Sequence, residues 1–233
     1  VEYAGQELNV FAEAVRWKRY IADELEAFIV GDVLEVGAGI GSVTRARRSA
    51  RQRSWTCLEP DPRLAAELSA SLVSQTAEGA AVEVRVGTIA SIEPGAHYDC
   101  VLYIDVLEHI EADAAELKQA LGLLRAGGVV VVLSPAHQWL YSPFDKAIGH
   151  FRRYDRRMLA ALSPGGAQLE QLRYLDSVGL LASLGNRVLL QSSEPTVAQI
   201  RLWDRVMVPC SRVLDPLLLH RVGKSIVSVW RKQ

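Results

Sequence analysis

Two carboxylates, Glu35 and Glu59, stand where a short stretch of chain can bring them to one ligand. Glu35 lies two residues before the first of three alternating glycines in Val33-Leu34-Glu35-Val36-Gly37-Ala38-Gly39-Ile40-Gly41. A strand over Asp32 to Val36 and a helix over Ser42 to Arg51 would meet at those glycines, whose missing Cβ atoms let a ligand lie against bare backbone. Glu59 follows the apolar run Ser54 to Leu58 and opens Glu59-Pro60-Asp61-Pro62. At the carboxyl end of a second strand it can accept hydrogen bonds from both hydroxyls of a ribose. In the plainer alternative Asp61 caps a helix over Arg63 to Val73 and Glu59 is a solvated loop residue. Dinucleotide sites want a third glycine one residue later, where this chain has Ser42. A carboxylate at position 35 also sits badly beside a diphosphate and well beside an ammonium.

Further polar groups follow later strands. Gly87-Thr88-Ile89 comes after a strand over Val82 to Val86, and Asp105-Val106-Leu107-Glu108-His109-Ile110 after one over Tyr98 to Ile104. The densest cluster runs from Ser134 through His137, Trp139, Tyr141, Phe144, Asp145 and Lys146 to His150-Phe151-Arg152-Arg153-Tyr154. So long a loop in a compact domain is expected to be functional, and its aromatic content argues against disorder. Histidine suits proton transfer at neutral pH, which makes His109 and His150 candidate bases; His109 could instead pack at the start of the next helix. Arg152, Arg153 and Tyr154 could anchor an acceptor or bridge loop carboxylates such as Asp145 and Asp155. No metal is assigned, although Asp105, Glu108 and His109 together could hold a divalent ion.

The glycine turn with its preceding acid resembles the first motif of the class I S-adenosylmethionine-dependent methyltransferases, an acidic residue followed by Gly-x-Gly-x-Gly. The likeness covers residues 13 to about 175 well, and the string from His150 to Tyr154 resembles an element of bacterial small-molecule methyltransferases. It implies S-adenosyl-L-methionine as cofactor and S-adenosyl-L-homocysteine as product. The implied cofactor residues are Glu35, Gly37, Ala38, Gly39, Gly41, Glu59, Pro60, Gly87, Thr88, Ile89, Asp105 and Val106. Many relatives carry Asp where this chain has Thr88, so the adenine amino group would be met by backbone or by the Thr88 hydroxyl. On the acceptor side the expected residues are Tyr20, His137, Tyr141, His150, Arg152, Arg153 and Tyr154, with His109 and His150 as the candidate catalytic residues. A helix over Glu13 to Phe28 would cover the cofactor, with Tyr3, Phe11, Trp17 and Tyr20 as lid candidates; packing on the sheet edge is the alternative. The implied reaction is in-line methyl transfer to an oxygen or nitrogen of a small molecule. An NAD-dependent oxidoreductase and a catalytically silent cofactor-binding protein are the competing readings.

These groups need a scaffold, and the alternation of elements supplies one. A helix over Glu111 to Arg125 stops at Gly127-Gly128, and Val129 to Leu133 then runs apolar as a strand buried on both faces should. Strand and helix alternate throughout, so the expected fold is α/β: a doubly wound, mostly parallel seven-stranded sheet with an N-terminal helix and a helical insertion before the last strand. The insertion fills the fifty or so residues between a sixth strand near Leu169 to Tyr174 and a last strand over Ser225 to Trp230. It would roof an apolar acceptor pocket, form a dimer contact or rest on a membrane, in that order. A single domain over 1–233 is expected: a helical lid over 1–30, a cofactor core over 31–135, then the substrate loop, insertion and closing strands over 136–233.

Composition narrows the partners. The chain has 233 residues, 49% apolar content and a net charge of −1. Arg45, Arg47, Arg48, Arg51 and Arg53 read as a solvated helix face, so no nucleic-acid partner is expected. Three cysteines, Cys57, Cys100 and Cys210, are too few and too far apart for a disulfide framework or zinc site, pointing to a reducing, cytoplasmic setting. No apolar run reaches membrane-spanning length, so no stable membrane insertion is expected. A small-molecule acceptor and a homodimer are the partners considered.

Overall fold

The computed structural model describes residues 13–73, 79–95, 97–185 and 196–233. The lid candidates Tyr3 and Phe11, and Val188 of the insertion, lie outside the described residues. Seven strands form one sheet: β1 (Gly31–Val36), β2 (Gln52–Glu59), β3 (Ala81–Val86), β4 (Tyr98–Ile104), β5 (Leu124–Pro135), β6 (Ala167–Leu175) and β7 (Ser225–Lys232). Their order is β3-β2-β1-β4-β5-β7-β6. The first five pair in parallel, and β7 runs antiparallel between β5 and β6. The order reverses between β1 and β4, which opens a crevice at their carboxyl ends.

Helices cover both faces: α1 (Val15–Leu25), α2 (Ser42–Arg47), α3 (Pro62–Val73), α4 (Asp113–Leu123), α5 (Pro143–Ala147), α6 (Arg156–Ala161), α7 (Ser177–Gly185), α8 (Val197–Leu202) and α9 (Val208–Leu217). The inner strands are apolar on both sides because both sides are covered. Val33, Trp55, Cys57, Cys100, Leu102, Val131 and Leu133 pack toward α1. Leu34, Leu58, Val101, Tyr103, Val130 and Val132 pack toward α4. Each fully buried Leu or Val contributes about 1.5–3 kcal/mol relative to an exposed one.

Among the boundaries that differ from the sequence expectation are those of two helices. Helix α2 ends at Arg47 instead of Arg51, because Arg48 turns to ψ 125° and the chain must enter β2 at Gln52. Helix α4 starts at Asp113 and ends at Leu123, with Leu124 already extended at ψ 146°.

The insertion departs more from expectation. A π turn at Trp203–Met207 joins α8 to α9, and Pro209 sits in the first turn of α9, where its missing N–H costs nothing. Ile200, Trp203 and Val208 share a buried cluster with Trp17, Tyr20 and Ile21 of α1. Asp204 accepts from the Arg16 and Trp17 amides, at 3.2 and 2.8 Å, satisfying N–H groups that open α1. The insertion therefore rests on the N-terminal helix. No helix among the described residues is long and apolar enough to cross a membrane.

Candidate active site

The glycine turn adopts backbone that a side chain would resist. Gly37, Gly39 and Gly41 have φ of 67°, 53° and 75°. A Cβ on Gly37 would fall 2.7 Å from Val106 Cγ2, and one on Gly41 would run into Leu68 Cδ1. The turn closes with Gly41 N–H donating to Ala38 O at 2.8 Å and Ala38 N–H to Leu58 O at 2.9 Å. Its edge is thus bare backbone pressed between α3 and the residue after Asp105.

Glu59 ends β2 beside this turn and is 4% exposed. Its Oε2 accepts the Gly39 amide at 2.7 Å and its Oε1 the Asp61 amide at 2.9 Å. Burial pushes its carboxyl up, and those two amides pull it back. The Gly39 N–H, a donor that a dinucleotide site would offer to phosphate, is here given to a carboxylate. Asp61 also accepts the Arg63 amide at 2.8 Å at the start of α3, while Glu59 is a buried strand-end residue and not a solvated one.

Glu35 points to the α1 side of the sheet, beneath the turn. Its Oε2 accepts the Thr44 hydroxyl at 2.5 Å and the Trp55 indole N–H at 2.8 Å. Burial pushes its carboxyl up to about 7, against the hydrogen bonds from Thr44, Trp55 and Cys57. One of its oxygens therefore ties α2 and β2 to the turn. Gly87 donates to Glu59 O at 3.0 Å and Ile89 is buried, which sets the Gly87-Thr88-Ile89 segment beside the same strand end. Pro60 follows Glu59 at that edge.

The carboxyl end of β4 carries the second half of the site. Asp105 leaves the strand at φ 54°, fixed by its amide donating to Leu133 O at 2.8 Å. It is open to solvent at its surface yet ringed by protein at longer range. That surrounding pushes its carboxyl up to about 6, against the pull of His150 and Lys224. Glu108 is fully buried, and burial and the Asp105 charge hold its carboxyl well above the usual range. Burial lowers His109 to about 4, so its imidazole is neutral at physiological pH. The rings of His109 and His150 meet edge to face, centroids 4.5 Å apart. His150 Nδ1 lies 3.0 Å from Asp145 Oδ1 and its Nε2 3.9 Å from Glu108 Oε1. Burial would raise Asp145, but His150 and Arg153 hold it well below the carboxylate range.

The long loop is ordered by its own polar groups. Ser142 and Asp145 form a capping box on α5. Arg153 grips Asp145 through Nε and Nη2, at 2.8 and 3.0 Å. Tyr141 donates its hydroxyl to His150 O at 2.7 Å, and Tyr154 N–H to Pro135 O at 3.0 Å.

Several residues expected to meet the acceptor are committed to the protein instead. Tyr20 is 1% exposed and donates to Asp215 Oδ2 at 2.8 Å, joining α1 to the insertion. Tyr154 is fully buried, with its hydroxyl on Asp113 Oδ2 at 2.8 Å. Arg152 reaches the same carboxylate oxygen at 2.6 Å. The bridging alternative describes the two arginines, with Asp113 in place of Asp155 for Arg152. His137, at φ 68°, stacks on Tyr174 at 4.9 Å and sets Nε2 2.9 Å from Gly223 O.

Lys224 was missed by sequence reasoning. Its ammonium lies 3.7 Å over the Trp203 ring and 3.6 Å from Asp176 Oδ2, and its charge reaches Asp105. The available signal was its place: the residue before β7, which pairs along β5 as far as Pro135. An open depression of about 470 Å³ lined by Asp32, Ser54, Glu83, Tyr98 and Arg125 lies at the opposite, amino end of the strands. There Arg53 and Arg125 pair with Asp32 and Asp99 and tie strand ends together.

The sheet that carries the glycine turn is shared with proteins of known fold. Residues 34–130 match the sequence model of a family described as a methyltransferase domain. No curated protein matches the chain. Among solved structures it is similar to the YcgJ protein from Bacillus subtilis, at 12% identity and a TM-score of 0.61 over 92% of this chain and 98% of that one. It is likewise similar to coclaurine N-methyltransferase bound to N-methylheliamine and S-adenosylhomocysteine (SAH), at 13% identity and 0.61 over 92% and 72%. A third is an S-adenosylmethionine-dependent methyltransferase from Clostridium acetobutylicum, at 10% identity and 0.55 over 93% and 91%. These likenesses show the fold, and the matched methyltransferase domain covers residues 34–130.

Proposed function

We propose that this protein methylates an oxygen or nitrogen of a small molecule, with S-adenosyl-L-methionine held on the glycine turn. The observation that carries the reading is the pairing of Glu59 with the Gly39 amide, beside a turn where a Cβ on Gly37 or Gly41 would strike Val106 or Leu68. Such a cradle fits a phosphate-free nucleoside with an attached ammonium better than a dinucleotide. Bound there, S-adenosyl-L-methionine supplies a methyl group on a sulfonium and departs as S-adenosyl-L-homocysteine.

Each part of the cradle has its role in this reading. The backbone of Gly37, Ala38, Gly39 and Gly41 holds the methionine portion, and Glu35 beneath it supplies negative charge for the ammonium. Glu59 turns from the Gly39 amide to the ribose, with Pro60 beside it. Gly87, Thr88 and Ile89 border the adenine, while Asp105 and Val106 close the side nearest the reacting carbon. The acceptor enters between the ends of β4 and β5, against His109, His137, Tyr141 and His150. His150, oriented by Asp145, takes the acceptor's proton; neutral His109 packs against it. Arg152, Arg153 and Tyr154 act by holding the loop. Alignment and exclusion of water supply most of the rate, and the base supplies a further ~10²–10⁴-fold where the acceptor holds its proton.

The whole chain acts as one unit in this proposal, the insertion and α1 forming a single wall. A homodimer is part of it, with exposed Leu202, Val213, Leu217 and Leu219 as its contact face, and sedimentation tests that. Calorimetry tests the cofactor: saturable binding of S-adenosyl-L-methionine and S-adenosyl-L-homocysteine is expected, and tight binding of NAD would transfer the site to oxidoreductase chemistry. His150→Ala should cut turnover on an identified acceptor at least tenfold while leaving cofactor affinity within about twofold. A fully active variant removes His150 from the reaction.

A further inference from the structure

The end of the cleft beyond β4 gathers three groups of metal-ligand chemistry. Glu108, His109 and His150 each offer one ligand atom, and those atoms lie within 4.8 Å of one another. A cluster of this kind is common without function, but a second observation points to a ligand. Glu108 is fully buried, yet its Oε1 has no hydrogen-bond partner among the described residues. That oxygen faces His150 Nε2 at 3.9 Å, too far for a hydrogen bond. A buried carboxylate oxygen facing an imidazole nitrogen across such a gap lacks the partner that buried polar atoms almost always have.

The far side of each group is already held. Ser134 Oγ donates to Glu108 Oε2 at 2.9 Å. Asp145 Oδ1 lies 3.0 Å from His150 Nδ1, which fixes the proton on Nδ1 and leaves the Nε2 lone pair toward Glu108. His109 hydrogen-bonds the Gly149 backbone. Outer hydrogen bonds of this kind, from a carboxylate or carbonyl to the unligated nitrogen, orient metal-binding histidines and raise their basicity.

We propose that Glu108, His109 and His150 form a binding site for a divalent transition-metal ion. Two imidazoles and one carboxylate favour zinc, cobalt, manganese or iron(II) over magnesium and calcium, which prefer all-oxygen shells. Ligand atoms around a tetrahedral ion at about 2.1 Å stand ~3.4 Å apart, so side chains now within 4.8 Å of one another need close by up to about 1.4 Å. Three protein ligands leave coordination positions open, as in sites where the ion meets a substrate. Resting on the methyl-transfer reading, one consequence follows. An acceptor oxygen bound at the open position would lose its proton to solvent at neutral pH, and His150 would then serve as ligand in place of base.

The test needs neither donor nor acceptor, so it stands apart from methyl transfer. Protein stripped with a chelator is titrated with Zn²⁺ by calorimetry and with Co²⁺ by visible absorption. One equivalent per chain with micromolar or tighter affinity is expected, with the absorption of a four- or five-coordinate cobalt site, and Mg²⁺ should bind at least about 100-fold more weakly. Glu108→Gln and His150→Ala should each lower Zn²⁺ affinity about 100-fold or more, and Asp145→Asn by about 10–100-fold. Circular dichroism selects the variants that fold, and either first variant suffices. Absence of saturable binding below ~1 mM, or zinc affinity unchanged in a folded variant, overturns the proposal.

Discussion

Glu35→Gln separates the electrostatic cost of the glycine turn from its purpose. Burial pushes the Glu35 carboxyl from an ordinary 4.5 up to about 7. A pKa raised by about 2.5 units at about 1.4 kcal/mol each corresponds to roughly 3 kcal/mol. Because the folded state holds the proton more tightly, this stability is complete below pH 4.5, shrinks as pH climbs toward 7, and is absent above. Glutamine still presents an oxygen to Thr44 and Trp55 but has no proton to lose. Urea unfolding at pH 4.5, 6, 7 and 8 should show the wild type losing about 3 kcal/mol relative to the variant across that range. Comparing the two proteins cancels the titration of Asp105 and Glu108, which burial also raises. A cationic ligand over the turn would favour the ionised form. Binding of S-adenosyl-L-methionine at pH 6 should therefore release close to one proton, read by calorimetry in buffers of different ionisation enthalpy, and the variant should release fewer. Parallel stability curves for the two proteins would refute the burial argument, and equal proton release would refute the ammonium pairing.

Other substitutions probe the remaining supports. Gly41→Ala must place a Cβ at φ 75° against Leu68, so a loss of about 1–3 kcal/mol in urea unfolding and at least tenfold in cofactor affinity is expected. Tyr20→Phe removes the hydroxyl that donates to Asp215, and should lower stability by about 1–2 kcal/mol while leaving acceptor KM unchanged. A large KM effect would return Tyr20 to the acceptor site. Asp204→Ala uncovers the Arg16 and Trp17 amides at the start of α1, which should cost about 1–2 kcal/mol and speed amide exchange in α1 before the sheet is affected.

The glycine turn and the acids at the strand ends were readable because their signals are local. Acid, glycines and a second acid at a strand end are read within one βαβ unit, and the strands themselves are apolar runs bounded by turns. Polar pairings over long sequence distances were not readable. Tyr154 and Arg152 read as acceptor groups because their common partner, Asp113, lies some forty residues away at the start of α4. Tyr20 shares a helix face with Trp17, and that periodicity is the same whether the face covers a cofactor or, as found, packs beneath α9. The candidate metal trio shows the same limit. Spacing alone grouped Asp105 with Glu108 and His109, but at φ 54° Asp105 turns sharply from the strand, and His150 from the distant loop takes its place.

The two halves of the crevice are built by opposite means, and that contrast assigns them different work. At the end of β1 the chain turns through glycines, whose missing Cβ atoms let Val106 and Leu68 approach; in the proposed reading, ligand affinity there depends on space beside the backbone. At the ends of β4, β5 and β6 it turns through Asp105, His137 and Asp176, non-glycine residues with φ of 54°, 68° and 63°. Left-handed backbone at such residues costs about 1 kcal/mol or more each and persists only where other contacts enforce it. Here they do: Leu133 O receives the Asp105 amide, Gly223 O meets His137, and Asp176 accepts from Gly179, Trp203 and Ser211 at 2.7–3.0 Å. Strain carried at these three strand ends, on one edge of the sheet, holds polar side chains at fixed positions. Changes on the glycine side should therefore appear as altered cofactor affinity, and changes on the strained side as altered turnover with cofactor affinity preserved.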